Sequence, residues 1–245
     1  MYYSVSIEPT KASSLIKRLF SAFLKGNLKR GFSMIECFSL TNAYLLGDVI
    51  SSMHRLRYKE FVERLEYNVP CHDSMEYDQY DTLAAVHFVW RDNFGKVGAS
   101  LRISPTTKPY MIKDIWPYTV ENMELPSSDD VWEATRLCVD KNLPKDMHYN
   151  IHAQLLCALQ EYALSNKISS YIGIAPPGLW KYTFIRFGWP IHFLGGSHKI
   201  EYKENIRAGL MEVSEEILQN IRSINNITGN VLKVTPQSQI IKNVA

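Results

Sequence analysis

Two runs of strand-forming residues, Ala84-Ala-Val-His-Phe-Val-Trp90 and Lys96-Val-Gly-Ala-Ser-Leu-Arg-Ile103, flank the segment Arg91-Asp-Asn-Phe-Gly95. Asp, Asn and Gly in so short a gap are turn formers, so the two runs pair as an antiparallel hairpin. The rest of the chain has to be built around that hairpin. Met34-Ile-Glu-Cys-Phe-Ser-Leu40 reads as a first strand, and helical periodicity follows from about residue 42 to 66, carrying Leu45, Val49, Met53, Leu56 and Phe61. Residues 131–139 alternate as a strand, Asn150 is expected to cap a helix through about Ser165, and residues 169–175 form another strand. Pro176-Pro177 opens a helix that Gly188 stops; a strand near residues 206–213 and a short helix after Ser214 complete the order. The pattern predicts one α/β (α+β) domain with a central mixed, mostly antiparallel sheet.

Charge narrows the function classes. The formal net charge is only +2, yet residues 1–33 hold six Lys or Arg against Glu8 alone, which leaves 21 basic and 24 acidic residues in the remainder. A mildly acidic domain is a poor nucleic-acid binder, so no nucleic-acid partner is expected. The division expected is a basic amphipathic extension over 1–33, a folded domain over 34–224 and a flexible tail over 225–245. Within the extension, residues 11–24 carry Leu15, Ile16, Leu19, Phe20 and Phe23 on one face, which suits weak contact with a membrane surface or a partner. Cys37, Cys71, Cys138 and Cys157 are widely spaced without C-x-x-C, pointing to free thiols and a cytoplasmic location. The i, i+4 pair His148 and His152 lacks a third ligand nearby, so no metal is expected.

The densest chemistry lies just before the hairpin, in Glu76-Tyr-Asp-Gln-Tyr-Asp81. Three carboxylates in six residues could make a turn or a metal loop, but the further oxygen ligands and the glycine of a calcium loop are missing. Arg57, Arg102, Glu133 and Arg136 stand in segments that answer it, and taken singly each could be no more than a structural ion pair. Together they suggest a pocket for a cationic small molecule.

Arg57 and Phe61, then Leu65-x-Tyr67, then Glu76-x-Asp78-x-Tyr80-Asp81, then Arg102, then Glu133-x-x-Arg136 follow in order at characteristic spacing. In that order the chain resembles the N-acyl-homoserine-lactone synthases, the autoinducer synthases of bacterial quorum sensing. The resemblance runs from about Met34 to Ser223. Tyr67 departs from the family's usual Trp, although an aromatic ring can still face a sulfonium.

The resemblance implies a sandwich like the GCN5-related N-acetyltransferases. It also implies S-adenosylmethionine as one substrate and an acyl chain on acyl carrier protein or coenzyme A as the other, with no cofactor. Arg57, Phe61, Tyr67, Asp78, Asp81 and Arg102 would then bind substrate, with Glu76 pinning the loop. Glu133 would be the general base, steadied by Arg136, with a backbone N–H near Leu137 or Cys138 for the oxyanion. Lys181 and Arg186 would meet an acidic acyl carrier protein. Residues 172–175 offer no hydroxyl where members preferring 3-oxo chains have Thr, so a non-3-oxo chain is expected. Another coenzyme A-dependent N-acyltransferase and a non-catalytic metabolite sensor remain alternatives. The first usually has a Gln/Arg-x-x-Gly-x-Gly/Ala loop that is missing here; the second would have lost the acids that this chain keeps.

Overall fold

The hairpin forms as its turn chemistry requires: β4 (Val86–Arg91) and β5 (Val97–Pro105) pair antiparallel, with Arg102 opposite His87. The protein, represented by a computed structural model, is described over residues 34–200 and 205–236. The basic extension with its amphipathic residues 11–24, and residues 237–245 of the expected tail, lie outside the described residues.

Around the hairpin the chain runs from β1 (Ile35–Phe38) through α1 (Val49–Arg57), which widens into a π-helical segment at Tyr58–Arg64. A two-stranded ribbon, β2 (Cys71–His72) and β3 (Met75–Glu76), brings in the acidic stretch. After the hairpin come α2 (Met111–Ile115), β6 (Val131–Val139), α3 (Lys145–Asn166) and β7 (Ser170–Ala175). A one-turn helix, α4 (Pro177–Leu179), continues as Trp180–Phe184 and Ile185–Phe187. The chain then adds β8 (His192–Phe193), β9 (His198–Lys199), β10 (Asn205–Glu212), α5 (Glu215–Asn225) and β11 (Leu232–Val234).

The main sheet is ordered β11-β1-β4-β5-β6-β7-β10-β8, with β9 also on β10. Among the described strands only the pairs β1–β11 and β6–β7 are parallel. On one face, Val49, Met53 and Leu56 of α1 pack on Phe38, Val89, Val97 and Cys138. On the other, α3 and α5 cover Phe88, Leu101, Ile103 and Tyr171. The expected mixed, mostly antiparallel sheet is therefore the middle of three layers.

Two local expectations are corrected. Helix α3 begins at Lys145, not Asn150: Pro144 supplies the entry and Asp146 sits in the first turn, leaving Asn150 as an interior, exposed position. The flexible tail expected from residue 225 is not one over its described part, because Ile35, Glu36 and Cys37 pair with β11 and Val231 is fully buried. Glu161 of α3 explains this. Its buried carboxylate accepts from the N–H groups of Val231 at 3.1 Å and Leu232 at 2.8 Å, and from Arg222 Nη2 at 2.8 Å. A polar, three-residue strand held by one distant side chain leaves no periodicity to read.

Replacing Glu161 by Ala would leave those donors unmet, so urea unfolding should show a loss of about 2–4 kcal/mol. A loss indistinguishable from an exposed Glu→Ala control would mean that Glu161 does not anchor β11.

Candidate active site

Strands β6 and β7 pair only at Val131–Ser170, Trp132–Tyr171 and Glu133–Ile172; beyond Glu133 they separate. A cavity of about 560 Å³ occupies the gap. One wall carries Phe61, Tyr67, Asp78, Tyr80, Thr135 and Arg136. The other is apolar, formed by Ile174, Trp180, Phe184 and Met211.

Behind the polar wall lies a network of three carboxylates and three guanidiniums. Arg57 is fully buried; its Nε donates to Glu76 at 2.5 Å, and its two terminal nitrogens donate to Asp81 at 2.8 and 3.0 Å. Arg102 Nη1 bridges Asp78 at 2.5 Å and Asp81 at 2.8 Å, while its Nε donates to Thr135 Oγ1 at 3.1 Å. Arg136 donates to Glu76 at 3.0 Å and to Asp78 at 2.6 Å. Bidentate guanidinium pairs of this kind can be buried because each charge is met by an opposite one. Burial pulls the Asp78 and Asp81 pKa values upward, but the surrounding arginines override it and hold both below the ordinary 3.8.

A bulge makes the network reachable from β6. Ser100 pairs with Cys138 and Arg102 with Thr135, so Arg136 and Leu137 together oppose Leu101, and Arg136 has φ 56°. Regular alternation would send Thr135 and Arg136 to opposite faces. The left-handed residue instead lets both touch the same ion network, a strain that the surrounding contacts must hold.

The structure thus brings Phe61, Tyr67, Asp78 and Arg136 to the cavity wall and sets Arg57, Asp81 and Arg102 behind it. Arg57 and Asp81 are bound to each other and each to a further partner, and neither borders the cavity. Glu76 does more than pin a loop: it joins Arg57 to Arg136 at the centre of the network. Phe61 and Tyr67 stack at 6.4 Å, and the Arg136 guanidinium lies 5.7 Å from the Phe61 ring. Tyr80 and Thr135 were missed by sequence reasoning; Tyr80 sits in the acidic stretch beside Arg102, whereas nothing in the sequence signals the bulge that turns Thr135 inward.

Glu133 is buried and does not line the cavity. Its two oxygens accept from the N–H groups of Met111 at 2.9 Å and Ile112 at 2.7 Å, so it holds the first turn of α2. Burial pushes its pKa up to about 6 despite those two donors. Leu137 lines the cavity, whereas Cys138 is on the strand's β5 pairing. Lys181 and Arg186 are exposed on the segment whose buried residues, Trp180 and Phe184, form the apolar wall. The Tyr171 hydroxyl donates to Leu159 O, away from the cavity. Among the described residues no cluster of three His, Cys, Asp or Glu could hold a metal, and no helix is long and apolar enough to cross a membrane.

Comparison with known proteins points the same way. The family model described as autoinducer synthase matches residues 43–221. An acyl-homoserine-lactone synthase of Pseudomonas aeruginosa is 29% identical over 155 residues, covering 62% of this chain and 77% of that protein. An isovaleryl-homoserine lactone synthase of Bradyrhizobium diazoefficiens is 31% identical over 163 residues, covering 66% and 72%. Among solved structures, the CoA-dependent acyl-homoserine lactone synthase BjaI with SAM and isopentyl-CoA superposes with a TM-score of 0.76 at 25% identity, covering 84% of this chain and 95% of that one. The fold is the sandwich that the sequence resemblance implied.

Replacing Glu76 by Ala takes one acceptor from each of Arg57 and Arg136, which keep Asp81 and Asp78, and leaves the buried network with an unbalanced positive charge, so it should cost about 3–5 kcal/mol in urea unfolding; a cost under about 1 kcal/mol would show that the network does not hold the fold. The pH dependence has two signs. Asp78 and Asp81 bind protons more weakly when folded, so their stabilisation is present above the ordinary 3.8 and is lost as the pH falls below it. Glu133 binds its proton more tightly when folded, so it lowers stability as pH rises from its ordinary 4.5 through about 6. Unfolding measured across that upper range should lose this slope in Glu133→Gln.

Proposed function

Because the chain belongs to the autoinducer synthase family, we infer that this cavity joins S-adenosylmethionine to an acyl thioester and releases N-acyl-homoserine lactone. The enzyme is an acyl-homoserine-lactone synthase, an acyltransferase. The observation that carries the reading is the cavity itself, with Asp78 and Arg136 among aromatic rings on one wall and an apolar surface on the other.

The amine of S-adenosylmethionine attacks the thioester carbonyl, forming the N–C bond and expelling the carrier thiolate. Its own carboxylate then displaces methylthioadenosine from the adjacent methylene chain, closing the lactone ring. Asp78 meets the ammonium, Arg136 meets the carboxylate, and Phe61 and Tyr67 face the sulfonium. Arg57, Asp81 and Arg102 act through the ion network, fixing the direction of Asp78 and Arg136. The amine has to lose a proton before it attacks, and Glu133 accepts it through water, since its side chain stops short of the cavity wall. A pKa of about 6 leaves it ionised at neutral pH and able to act as a base. A backbone N–H at Leu137, on the cavity wall, receives the oxyanion.

The solved relative described as CoA-dependent makes an acyl-CoA donor the first to test. Lys181 and Arg186 suit the acidic surface of an acyl carrier protein as the other donor. No hydroxyl of β7 points into the cavity, which supports an acyl chain without a 3-oxo group. The free cysteines Cys37, Cys71, Cys138 and Cys157 suit a cytoplasmic enzyme.

Purified protein incubated with S-adenosylmethionine and acyl-CoA or acyl carrier protein donors should release methylthioadenosine; no release with any donor from folded protein would refute the synthase reading. Asp78→Asn should mainly raise the KM for S-adenosylmethionine, whereas Glu133→Gln should lower kcat by about 10²–10⁴-fold. In the wild type, kcat should rise with pH through about 6 and reach a plateau. If the profile is flat and Glu133→Gln changes only KM, Glu133 positions α2 and is not the base.

A further inference from the structure

Trp180 lies on the apolar side of the cavity. Its indole forms part of the apolar wall and is only 2% exposed. Its supports are of three kinds. Nε1 donates to Arg207 O on β10 at 2.8 Å. Phe184 packs against it at 5.1 Å, and Phe193 meets it edge-on at 6.4 Å. The third support is the bare backbone beneath: a Cβ on Gly173 would lie 3.2 Å from Trp180 Cη2, and one on Gly209 would lie 3.2 Å from Cζ2. These glycines face each other across β7 and β10, so the edge of the indole packs against bare main chain between Met211 and Ile191. Phe184, which packs on the ring, meets Trp189 edge-on at 6.2 Å.

Resting on the synthase reading, we propose that Trp180 sets the length of the acyl chain that the enzyme accepts. The buried indole is part of the apolar lining of a cavity that must also admit the sulfonium substrate. At about 560 Å³ for both, the cavity lies in the lower half of the range that ligand pockets usually occupy, about 300–1,000 Å³. A ring hydrogen-bonded at its nitrogen and seated on two glycines cannot swing aside for a longer chain without losing both supports. The ligand class is a short or branched acyl thioester.

The test is a series of straight-chain thioesters, butanoyl to tetradecanoyl, offered on both CoA and acyl carrier protein with S-adenosylmethionine, reading kcat/KM from methylthioadenosine release. Wild-type activity should fall off steeply within the series. Trp180→Leu should move the fall-off to longer chains, with a gain of about fourfold per additional methylene, the about 0.8 kcal/mol that burying one is worth. Gly173→Ala should move it the other way, by lifting the indole into the cavity. Should Trp180→Leu fail to fold, Trp180→Phe, which removes the anchoring N–H but keeps an aromatic ring, should shift the fall-off partway. Folded variants with the wild-type chain-length profile would overturn the proposal while leaving the synthase reading intact. A wild type that turns over no donor would overturn both.

Discussion

A buried lattice of six charges is what the active side of this protein depends on. Arg57, Arg102 and Arg136 come from a helix and two strands, and Glu76, Asp78 and Asp81 come from one short acidic stretch that has little regular structure of its own. Without those arginines the stretch would be a solvated turn; without the stretch three guanidiniums would be buried unpaired, which costs several kcal/mol each. The lattice is neutral as a whole, so it can be buried, yet it is polarised, with Asp78 and Arg136 at its open edge. The same ion pairs that fasten a loop to a sheet therefore leave an anion and a cation side by side on the cavity wall.

The backbone contributes as much as the side chains. The bulge at Arg136 and the early parting of β6 from β7 are neighbouring irregularities in one strand. The first turns an extra side chain toward the ion network, and the second opens the space which that side chain faces. Glu133 is the last β6 residue to pair with β7, and it ties the strand to α2, whose Met111 and Ile115 also border the cavity.

Much of this was legible in the sequence, and the rest was hidden for identifiable reasons. The hairpin could be read because Asp-Asn-Phe-Gly fixes its turn locally, and the acid and arginine set could be read because charges so closely spaced need partners. Which charges face substrate could not be read, since spacing does not distinguish an arginine at the edge of a lattice from one at its centre; Arg57 and Asp81 belong to the interior. Strand β11 depends on Glu161, a side chain some seventy residues away in sequence. Trp180 looks like any helical core aromatic until the two glycines beneath it are seen in register across β7 and β10.

The parting of β6 and β7 has one more consequence. The sheet is a barrier between two helical layers, and here the barrier has a window cut through it by lost backbone pairing and not by small side chains. The acid and arginine wall lies on one side of the frame and the apolar wall on the other, so in the synthase reading proposed above neither substrate has to pass the other to reach it. Because the frame is main chain, either lining can be altered without moving the place where the two meet. In the reading proposed above, the acyl group can be changed by substituting residues around the Trp180 side while the charged side stays untouched.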